Sequence, residues 1–481
     1  MNLILTLRIL GALLLYLGGA LLLPVLFSLY YHDEAWPAFI YSSLLCFSVG
    51  GLLFTFCKSP KDLSVREGFA IVTFGWTFFA IFGALPYLLS GVIPAPIDAI
   101  FETMSGFTTT GSTILTDIET LPESLLFWRS LTQWLGGMGI IVLSLAILPM
   151  LGVGGMQLFK AEVPGPTADR LRPRIQDTAK LLWGVYLLLT ALETLLLMLG
   201  DMNFFDALCH SFATLATGGF STRNASIAAF DSSYIDMVVT IFMILAGINF
   251  TLHFQLLRGK LEDFYRNEEF RCYIGLIFII TLIIITFNWF GGIYQTPGEN
   301  LRYSMFQVAS ISTTTGFGTA DYETWPILPQ YLLVMLMFVG GCAGSTGGGM
   351  KVARILLLLK HAQVQVFRLI HPRAIRLVKL GNRPVDKEVL QSILGFFALF
   401  IGIFVIASLL MAACGMDLIS GGAAVIACLA NIGPGLGTVG PVDNFAHIPS
   451  FGKTVLIICM LMGRLELFTV LVLFFPSFWR K

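Results

Sequence analysis

The most distinctive chemistry in this sequence lies in a run of small hydroxyl residues and glycines, Ser312 to Thr319. The run separates two apolar segments and carries no ionisable side chain. Glycine frees the backbone to turn its carbonyls to one side, and a row of carbonyls can replace the hydration shell of a cation. Within a membrane, such backbone is tolerated only where protein buries it or where it lines a water-filled path. The run therefore predicts a cation-binding segment, although a single copy would equally suit a small-residue helix-packing seam.

Three other segments repeat this pattern, at a spacing of roughly one hundred residues. Thr108–Thr113 matches it closely, whereas Thr217–Thr222 and Ile432–Thr438 diverge more. Four copies at roughly even spacing indicate an internal repeat, which favours a filter built from four segments over a chance cluster of glycines.

We place Gly111, Gly219, Gly316 and Gly435 at equivalent positions of the four copies. Carbonyls and hydroxyls around these glycines are the predicted cation ligands. The predicted ion-binding residues are Thr109, Thr110, Gly111, Ser112, Gly218, Gly219, Phe220, Thr315, Gly316, Phe317, Pro434, Gly435 and Leu436.

Composition identifies the class of protein. Of 481 residues, 56% are hydrophobic and only 12% are charged, whereas soluble chains carry about 25% charged residues. The chain is therefore an integral membrane protein. The eight cysteines show no C-x-x-C spacing and are interpreted as buried free thiols. The sequence has no Walker loop, G-x-S-x-G or H-E-x-x-H motif, so nothing in it points to an enzyme.

The apolar segments predict an all-α polytopic fold with ten crossings, because a spanning helix needs about 20 mostly apolar residues. An N-terminal pair of spans, near 9–30 and 37–57, precedes four repeats, each consisting of a span, a short apolar segment, a filter copy and a second span. The predicted repeat spans are 68–91 with 125–151, 181–199 with 234–257, 272–293 with 327–360, and 389–414 with 453–475. The predicted domains are residues 1–66 for the N-terminal pair and 67–160, 161–264, 265–380 and 381–481 for the repeats.

The short segments are predicted to enter the membrane and return, because about 12 helical residues reach only about 18 Å. Asp98 and Asp206 suit the N-termini of two of these helices. The partly negative carboxyl ends would then point to the pore centre, which favours cations.

Lysine and arginine placement predicts that both termini are cytoplasmic. Lys58 to Arg66, Lys160 to Lys180, Arg258 to Arg271 and Lys351 to Lys387 fall on the inner side. The cations that fall outside are Arg129, Arg223, Arg302 and Lys453. Acidic residues concentrate on the outer side, either as ordinary solvated loops or as a negative vestibule that attracts cations. They are Asp117, Glu119, Glu123, Asp231, Asp236, Asp321, Glu323 and Asp443.

Two features interrupt the hydrophobic spans. Six of the ten residues from Gly340 to Gly349 are glycine, each costing about 1 kcal/mol of helix stability, so we expect an unwound loop that gates conduction, with close helix packing as the alternative. Arg464 lies within the last predicted span, where it would either repel ions in the path or form a structural ion pair. The predicted gating residues are Gly344, Ser345, Thr346, Gly347, Gly348 and Arg464.

The four Thr/Gly copies, the Gly340–Gly349 segment and Arg464 together resemble the Trk/Ktr/HKT superfamily of potassium transporters. The resemblance covers essentially the whole chain, and the extra N-terminal pair of spans is similar to the TrkH type. It implies four repeats around one pseudo-fourfold pore, a homodimer in the lipid bilayer, and a cytoplasmic TrkA-like regulatory subunit with nucleotide-binding RCK domains. Repeats two and four depart from the pattern, since Gly218 and Gly433-Pro434 replace threonines.

The sequence therefore predicts potassium uptake across the plasma membrane, a bacterial inner membrane, with K⁺ as the transported ion. We expect no organic cofactor on this chain, because it lacks a G-x-G-x-x-G βαβ unit, and we expect no nucleic-acid partner. An alternating-access cation symporter coupled to Na⁺ or H⁺ is the first alternative. A membrane scaffold without transport is the second, although it leaves the four polar copies unexplained.

Overall fold

The computed structural model describes residues 2–57, 65–146, 171–374, 376–381 and 383–480. Six helices in this part of the chain are long and apolar enough to cross a membrane, or up to eight if each of two bent pairs is one span. The chain is thus a multi-pass membrane protein, as predicted. The predicted basic residues Lys58, Lys61 and Lys160 and the boundary at 160 lie outside the described residues.

The N-terminal unit consists of the helices Leu3–Ala20, Leu23–Tyr31 and Trp36–Phe56. The hydroxyl of Ser43 donates to the Gly18 carbonyl at 2.7 Å, which links the first and third of these helices. The unit also binds the first repeat, because Asp33 accepts from the backbone N–H of Ser124 at 3.0 Å. The N-terminal pair is therefore attached to the rest of the protein on the side of repeat one.

The helices that fall within the four predicted repeats are of three kinds. The first helices are Val65–Gly83, Leu171–Met198, Glu268–Phe290 and Lys387–Ala413. The short helices are Pro96–Phe107, Phe204–Leu215, Pro297–Ser312 and Leu418–Leu429. The second helices are Glu123–Ala146, Ser233–Ala246 with Phe250–Leu257, Ile327–Val339 with Val352–Ile370, and Ser450–Arg464 with Leu467–Leu471.

The smaller elements join or end these helices. They are the helices Leu85–Leu89, Leu261–Arg266 and Pro476–Trp479, and the 3-10 turns Ser226–Phe230, Tyr322–Thr324, Gly437–Val439 and Val472–Phe474. One two-stranded antiparallel hairpin, with Lys379 opposite Pro384, lies in the described part of the chain. The all-α fold class is confirmed.

Three of the four short helices begin at a residue whose side chain caps the first turn. Asn203 and Asp417 accept from backbone N–H groups in the first turn of the second and fourth short helices. Asp98 and Asp206 lie in the first turn of their helices, as predicted. An acidic side chain at this end is favourable because of the helix dipole. Side-chain caps therefore mark the start of the second, third and fourth short helices, whereas the first begins at Pro96 without one.

The second spans of repeats two and four are broken rather than continuous, which corrects the predicted spans 234–257 and 453–475. The two halves meet at 101° in repeat two and at 117° in repeat four. The break in repeat two is held by the loop of repeat three, since Gly247 accepts from the Cys342 N–H at 2.9 Å and the Phe250 N–H donates to Gly344 at 3.1 Å. The break in repeat four passes through Glu466, which has a left-handed φ of 64°.

Candidate cation-binding site

The four filter copies share one unusual backbone conformation. Residues with a positive φ occur just after each short helix, where a side chain is normally disfavoured. They are Thr109 (φ 51°), Thr217 (52°), Thr314 (63°) and Asn431 (54°). Two residues further on, each copy has a positive-φ glycine: Gly111 (85°), Gly219 (75°), Gly316 (84°) and Gly433 (105°). The chain therefore makes the same turn four times.

The fourth copy is shifted by two residues from the predicted alignment. The residue before each of these glycines donates its backbone N–H to the carbonyl five residues earlier, at the end of the short helix. In copy four the donor is the Ile432 N–H and the acceptor is the Ala427 carbonyl, at 2.8 Å. Gly433 therefore takes the position that we assigned to Gly435, and Ile432 corresponds to Thr110, Gly218 and Thr315. Leu436 lies beyond this turn. The sequence could not fix this register, because Gly433, Gly435 and Gly437 alternate with other residues and offer three equivalent choices.

The four copies lie against one another in a closed ring. A Cβ added to the filter glycine of one copy would lie against the carbonyl oxygen that precedes the filter glycine of the next copy. The distances are 2.2 Å from Gly111 to Gly218, 2.1 Å from Gly219 to Thr315, 1.9 Å from Gly316 to Ile432, and 2.9 Å from Gly433 to Thr110. The contacts run from copy one to copy four and return to copy one. Glycine is required here because the neighbouring carbonyl leaves no room for a side chain.

Side chains around the ring fix individual filter atoms. Gln133 brackets copy two, since its amide donates to the Gly218 carbonyl at 2.6 Å and accepts from the Phe220 N–H at 3.1 Å. Ser112 donates to the Gly433 carbonyl at 3.1 Å, which joins copies one and four. Tyr322 donates to the Gly435 carbonyl at 2.7 Å. Gln133 and Tyr322 were not predicted from the sequence, because neither lies in a filter copy.

The four cations predicted on the outer side all pair with acids. Three of the acids lie on short helices, and Asp236 lies in the first turn of the second helix of repeat two. The pairs are Arg129–Glu102 at 2.9 Å, Arg223–Asp206 at 2.7 Å, Arg302–Asp236 at 2.6 Å and Lys453–Asp98 at 2.7 Å. These apparent exceptions to the positive-inside pattern are therefore structural counter-charges. Hydropathy and loop charge gave no signal for this pairing.

The Arg129–Glu102 pair is the most deeply buried of the four, with both side chains at most 1% exposed. Glu102 also accepts from the Thr113 hydroxyl and from the Ile114 N–H, each at 3.0 Å. Arg129 donates to the Ser221 carbonyl at 3.0 Å and lies 4.1 Å from the centre of the Phe220 ring. The pair thus ties copies one and two together behind the filter.

The outer acids also form contacts between loops. Glu119 accepts from the Asn224 N–H at 3.1 Å, and Glu323 accepts from the Gly437 N–H. Burial raises the pKa of Glu323; the Gly437 N–H opposes this, and the neighbouring Asp321 and Asp443 add to it. Some of the outer acidic residues therefore bind backbone N–H groups of neighbouring loops. The negative vestibule that attracts cations stays a prediction.

The Gly340–Gly349 segment is non-helical, as predicted, and contacts repeats two and four as well as its own filter copy. The Thr346 hydroxyl donates to the Leu215 carbonyl at 2.9 Å, at the end of the second short helix. The Gly348 N–H donates to the Thr314 hydroxyl at 2.6 Å. The Gly349 N–H donates to Ala430 at 3.0 Å, next to the turn of copy four. The segment therefore lies directly beside the helix ends that lead into the filter.

Arg464 holds this loop to repeat one. It is 3% exposed, and it donates to the Thr346 carbonyl at 2.7 Å and to the Gly136 carbonyl at 3.0 Å. No acidic partner of Arg464 occurs among the described residues, so a structural ion pair is not what holds it. Arg464 and the loop are thus in direct contact.

Two acids fix the ends of the loop. Glu269, on the first helix of repeat three, accepts from the Ala343 N–H at 2.6 Å and from the Ala353 N–H at 3.2 Å. Glu466 pairs with Arg354, just after the loop. Both acids were missed in the sequence, because their partners are distant along the chain.

The family profile of TrkH, described as a cation transport protein, matches residues 36–481. The chain belongs to the TrkH family. It is 46% identical over 478 residues to the Trk system potassium uptake protein TrkH of Escherichia coli strain K12, covering 98% of this chain and 99% of that protein. It is 44% identical over 487 residues to the TrkH protein of Halomonas elongata, with 100% of both chains covered.

A solved structure of the TrkH family agrees with the fold described above. The crystal structure of the potassium transporter TrkH from Vibrio parahaemolyticus matches with a TM-score of 0.92 and 39% sequence identity, over 100% of both chains. Because identity and coverage are this high, the family resemblance inferred from the filter copies is confirmed. This TrkH family member is therefore related to potassium uptake proteins along its full length.

Proposed function

We propose that this protein takes up potassium across the bacterial inner membrane through the ring of four filter segments. The observation that carries this proposal is the closed ring of contacts from Gly111 through Gly219 and Gly316 to Gly433. A ring of oxygens around one axis can replace the hydration shell of K⁺. The potassium uptake named for the related proteins supports the same ion. The ligands are then the predicted filter residues, with Ile432 and Gly433 in place of Gly435 and Leu436.

The Gly340–Gly349 loop and Arg464 form the gate in this proposal. The loop is bonded to three helix ends or turns at the filter, so that a displaced loop changes access to the ring from the inner side. Arg464 adds a positive charge at that place and holds the loop through Thr346. A cation about 4 Å from a fixed guanidinium is repelled by about 4 kcal/mol at an effective dielectric constant of 20. Release of the Thr346–Arg464 contact is then the opening step.

Purified protein in liposomes tests the transport proposal. We expect ⁸⁶Rb⁺ uptake that K⁺ competes with strongly and Na⁺ competes with weakly. Uptake that needs a Na⁺ or H⁺ gradient would favour the alternating-access symporter, and no uptake at all would favour the scaffold. Collapse of each gradient separately, with the K⁺ gradient held constant, distinguishes these outcomes.

We further propose that the protein is a homodimer with cytoplasmic termini, regulated by a cytoplasmic TrkA-like RCK subunit. The basic segment after the helix Val352–Ile370, which contains Arg373, Arg376 and Lys379, supplies part of the docking face. This segment is attached to the gate region, since Lys360 pairs with Glu268 at 2.5 Å and Glu268 accepts from the Gly381 N–H at 2.6 Å. Reversal of Arg373, Arg376 and Lys379 to glutamate should abolish co-purification of the subunit. An unaltered complex would exclude this segment as the contact.

A further inference from the structure

Glu193 is an acid inside a membrane-spanning helix with no partner for its charge. It lies on the first helix of repeat two, within the span Thr178–Met198, and its side chain is fully buried. Neither carboxyl oxygen has a hydrogen-bond partner among the described residues. An ionisable residue in such a position is a candidate functional site.

The charged and titratable groups on the surrounding helices are bound elsewhere. Tyr186, two turns earlier on the same helix, donates to the Trp134 carbonyl at 3.1 Å. His253 bonds the Leu245 carbonyl at 2.8 Å, and His210 bonds the Asp206 carbonyl and the Ser221 hydroxyl. Arg129, Asp206 and Asp236 are taken up in the pairs Arg129–Glu102, Arg223–Asp206 and Arg302–Asp236. Lys180 and Arg258 are exposed. An ionised Glu193 would thus be an uncompensated buried charge, which is far less favourable than a neutral carboxylic acid.

The second short helix connects this carboxyl to both the filter and the loop. The Thr214 hydroxyl faces Glu193, but it donates to the His210 carbonyl at 2.8 Å. The next residue, Leu215, accepts from Thr346 of the loop at 2.9 Å. Thr217, where copy two turns, follows within one helical turn. A carboxylate at Glu193 would draw the Thr214 hydroxyl away from His210, and so disturb the end of this helix.

We propose that Glu193 is a proton-binding site that links K⁺ transport to pH. The protonated carboxylic acid fits the packing seen here and belongs to the transporting form. Loss of the proton at alkaline pH moves the end of the second short helix and lowers flux. This inference rests on the proposed transport function, because it concerns the same ion path.

The test compares wild-type protein with Glu193→Gln, which keeps the shape and neutrality of the protonated acid. Between about pH 6 and pH 9, chosen because buried carboxyls are known to titrate in this range, wild-type ⁸⁶Rb⁺ flux should fall on the order of tenfold. The Glu193→Gln protein should keep the acid-side flux throughout. Glu34→Gln, which changes an exposed acid of the N-terminal unit, is the matched control and should follow the wild-type profile.

Infrared difference spectra between acid and alkaline pH give a readout independent of transport. Wild-type protein should show a protonated carboxyl C=O band that disappears at alkaline pH and is missing in Glu193→Gln. An identical pH profile in wild type and Glu193→Gln, or absence of this band at acid pH, overturns the inference. Absence of any flux in folded wild-type protein would instead overturn the proposed function, and the infrared band would still report whether Glu193 holds a proton.

Discussion

The two sides of the filter are held by different interactions. On the side predicted to be outer, four cation–acid pairs hold the short helices and their neighbours, and the Arg129–Glu102 pair is almost completely buried. On the other side, the Gly340–Gly349 loop is held mainly by backbone hydrogen bonds and by Arg464, which has two carbonyl partners. A buried ion pair is costly to break because a lone charge remains, whereas a glycine loop can exchange one hydrogen bond for another. The ion pairs therefore form a rigid frame, whereas the loop, which is the proposed gate, can rearrange.

The largest effect is expected from breaking the buried pair. Arg129→Met leaves Glu102 as an uncompensated buried charge, which should destabilise the protein by about 3–5 kcal/mol. Thermal unfolding of the purified protein measures the loss. The double variant Arg129→Met with Glu102→Gln should recover most of the stability, because no charge is then left unpaired.

Lys453→Met breaks a less buried pair and is compared with Arg129→Met. The partner of Lys453, Asp98, is 27% exposed, so that water can solvate the carboxylate left behind. The destabilisation by Lys453→Met should be clearly smaller. Equal losses in Arg129→Met and Lys453→Met would contradict the view that burial gives the frame its rigidity.

Removal of Arg464 tests the gate side. Arg464→Ala removes two charge-assisted hydrogen bonds, each worth about 1.5–3 kcal/mol, and frees the loop at Thr346. Basal ⁸⁶Rb⁺ flux should rise on the order of tenfold or more, with the K⁺/Na⁺ preference nearly unchanged. The melting temperature should fall, because the two hydrogen bonds also stabilise the fold, but the protein should remain folded. Deletion of Gly344 to Gly348 should have the same direction of effect. Loss of folding together with loss of flux would instead assign Arg464 to the rigid frame.

The filter ring lies between these two regions, and substitutions of its glycines should change ion selectivity. Gly316→Ser places a Cβ against the Ile432 carbonyl, at 1.9 Å, and adds about 1–2 kcal/mol of left-handed strain. The K⁺/Na⁺ permeability ratio should therefore fall on the order of tenfold. Gly111→Ser and Gly219→Ser should behave alike, and Gly433→Ser less strongly, because its nearest carbonyl is 2.9 Å away.

Gly435→Ser distinguishes the two alignments of copy four. Gly435 has no positive φ, and the atom nearest to a Cβ added at Gly435 belongs to the Val439 side chain, at 3.0 Å. The K⁺/Na⁺ permeability ratio of the Gly435→Ser protein should remain near that of wild type. A larger loss of selectivity at Gly435 than at Gly433 would restore the alignment predicted from sequence.

The smallest effect is expected at the edge of the loop. Glu269→Gln keeps an oxygen acceptor but weakens the bonds to Ala343 and Ala353, by about 1 kcal/mol. Basal flux should rise by about fivefold, which is the population shift corresponding to that energy. Glu262→Gln is the control, because Glu262 forms only an exposed pair with Arg266. Equal flux in the two variants would show that Glu269 does not hold the gate.

The sequence alone determined the features that depend on local composition. Hydropathy identified a multi-pass helical protein, and the four Thr/Gly copies identified the four repeated turns and the family. The run of glycines from Gly340 to Gly349 predicted its own break, because the helix penalty of glycine is a property of the residue. Asp98 and Asp206 likewise predicted their helix starts through local capping and dipole effects.

Tertiary structure decided whatever depends on distant partners. The breaks at Gly247–Asn249 and Glu466 lie in apolar segments that read as continuous helices, and contacts with the loop of repeat three and with Arg354 accompany the broken forms. The register of copy four was set at Gly433 by the fit of its turn between its own short helix and copy one. The acids that neutralise Arg129 and its three counterparts are chosen by packing between helices, because the attraction between charges acts through space and not along the chain.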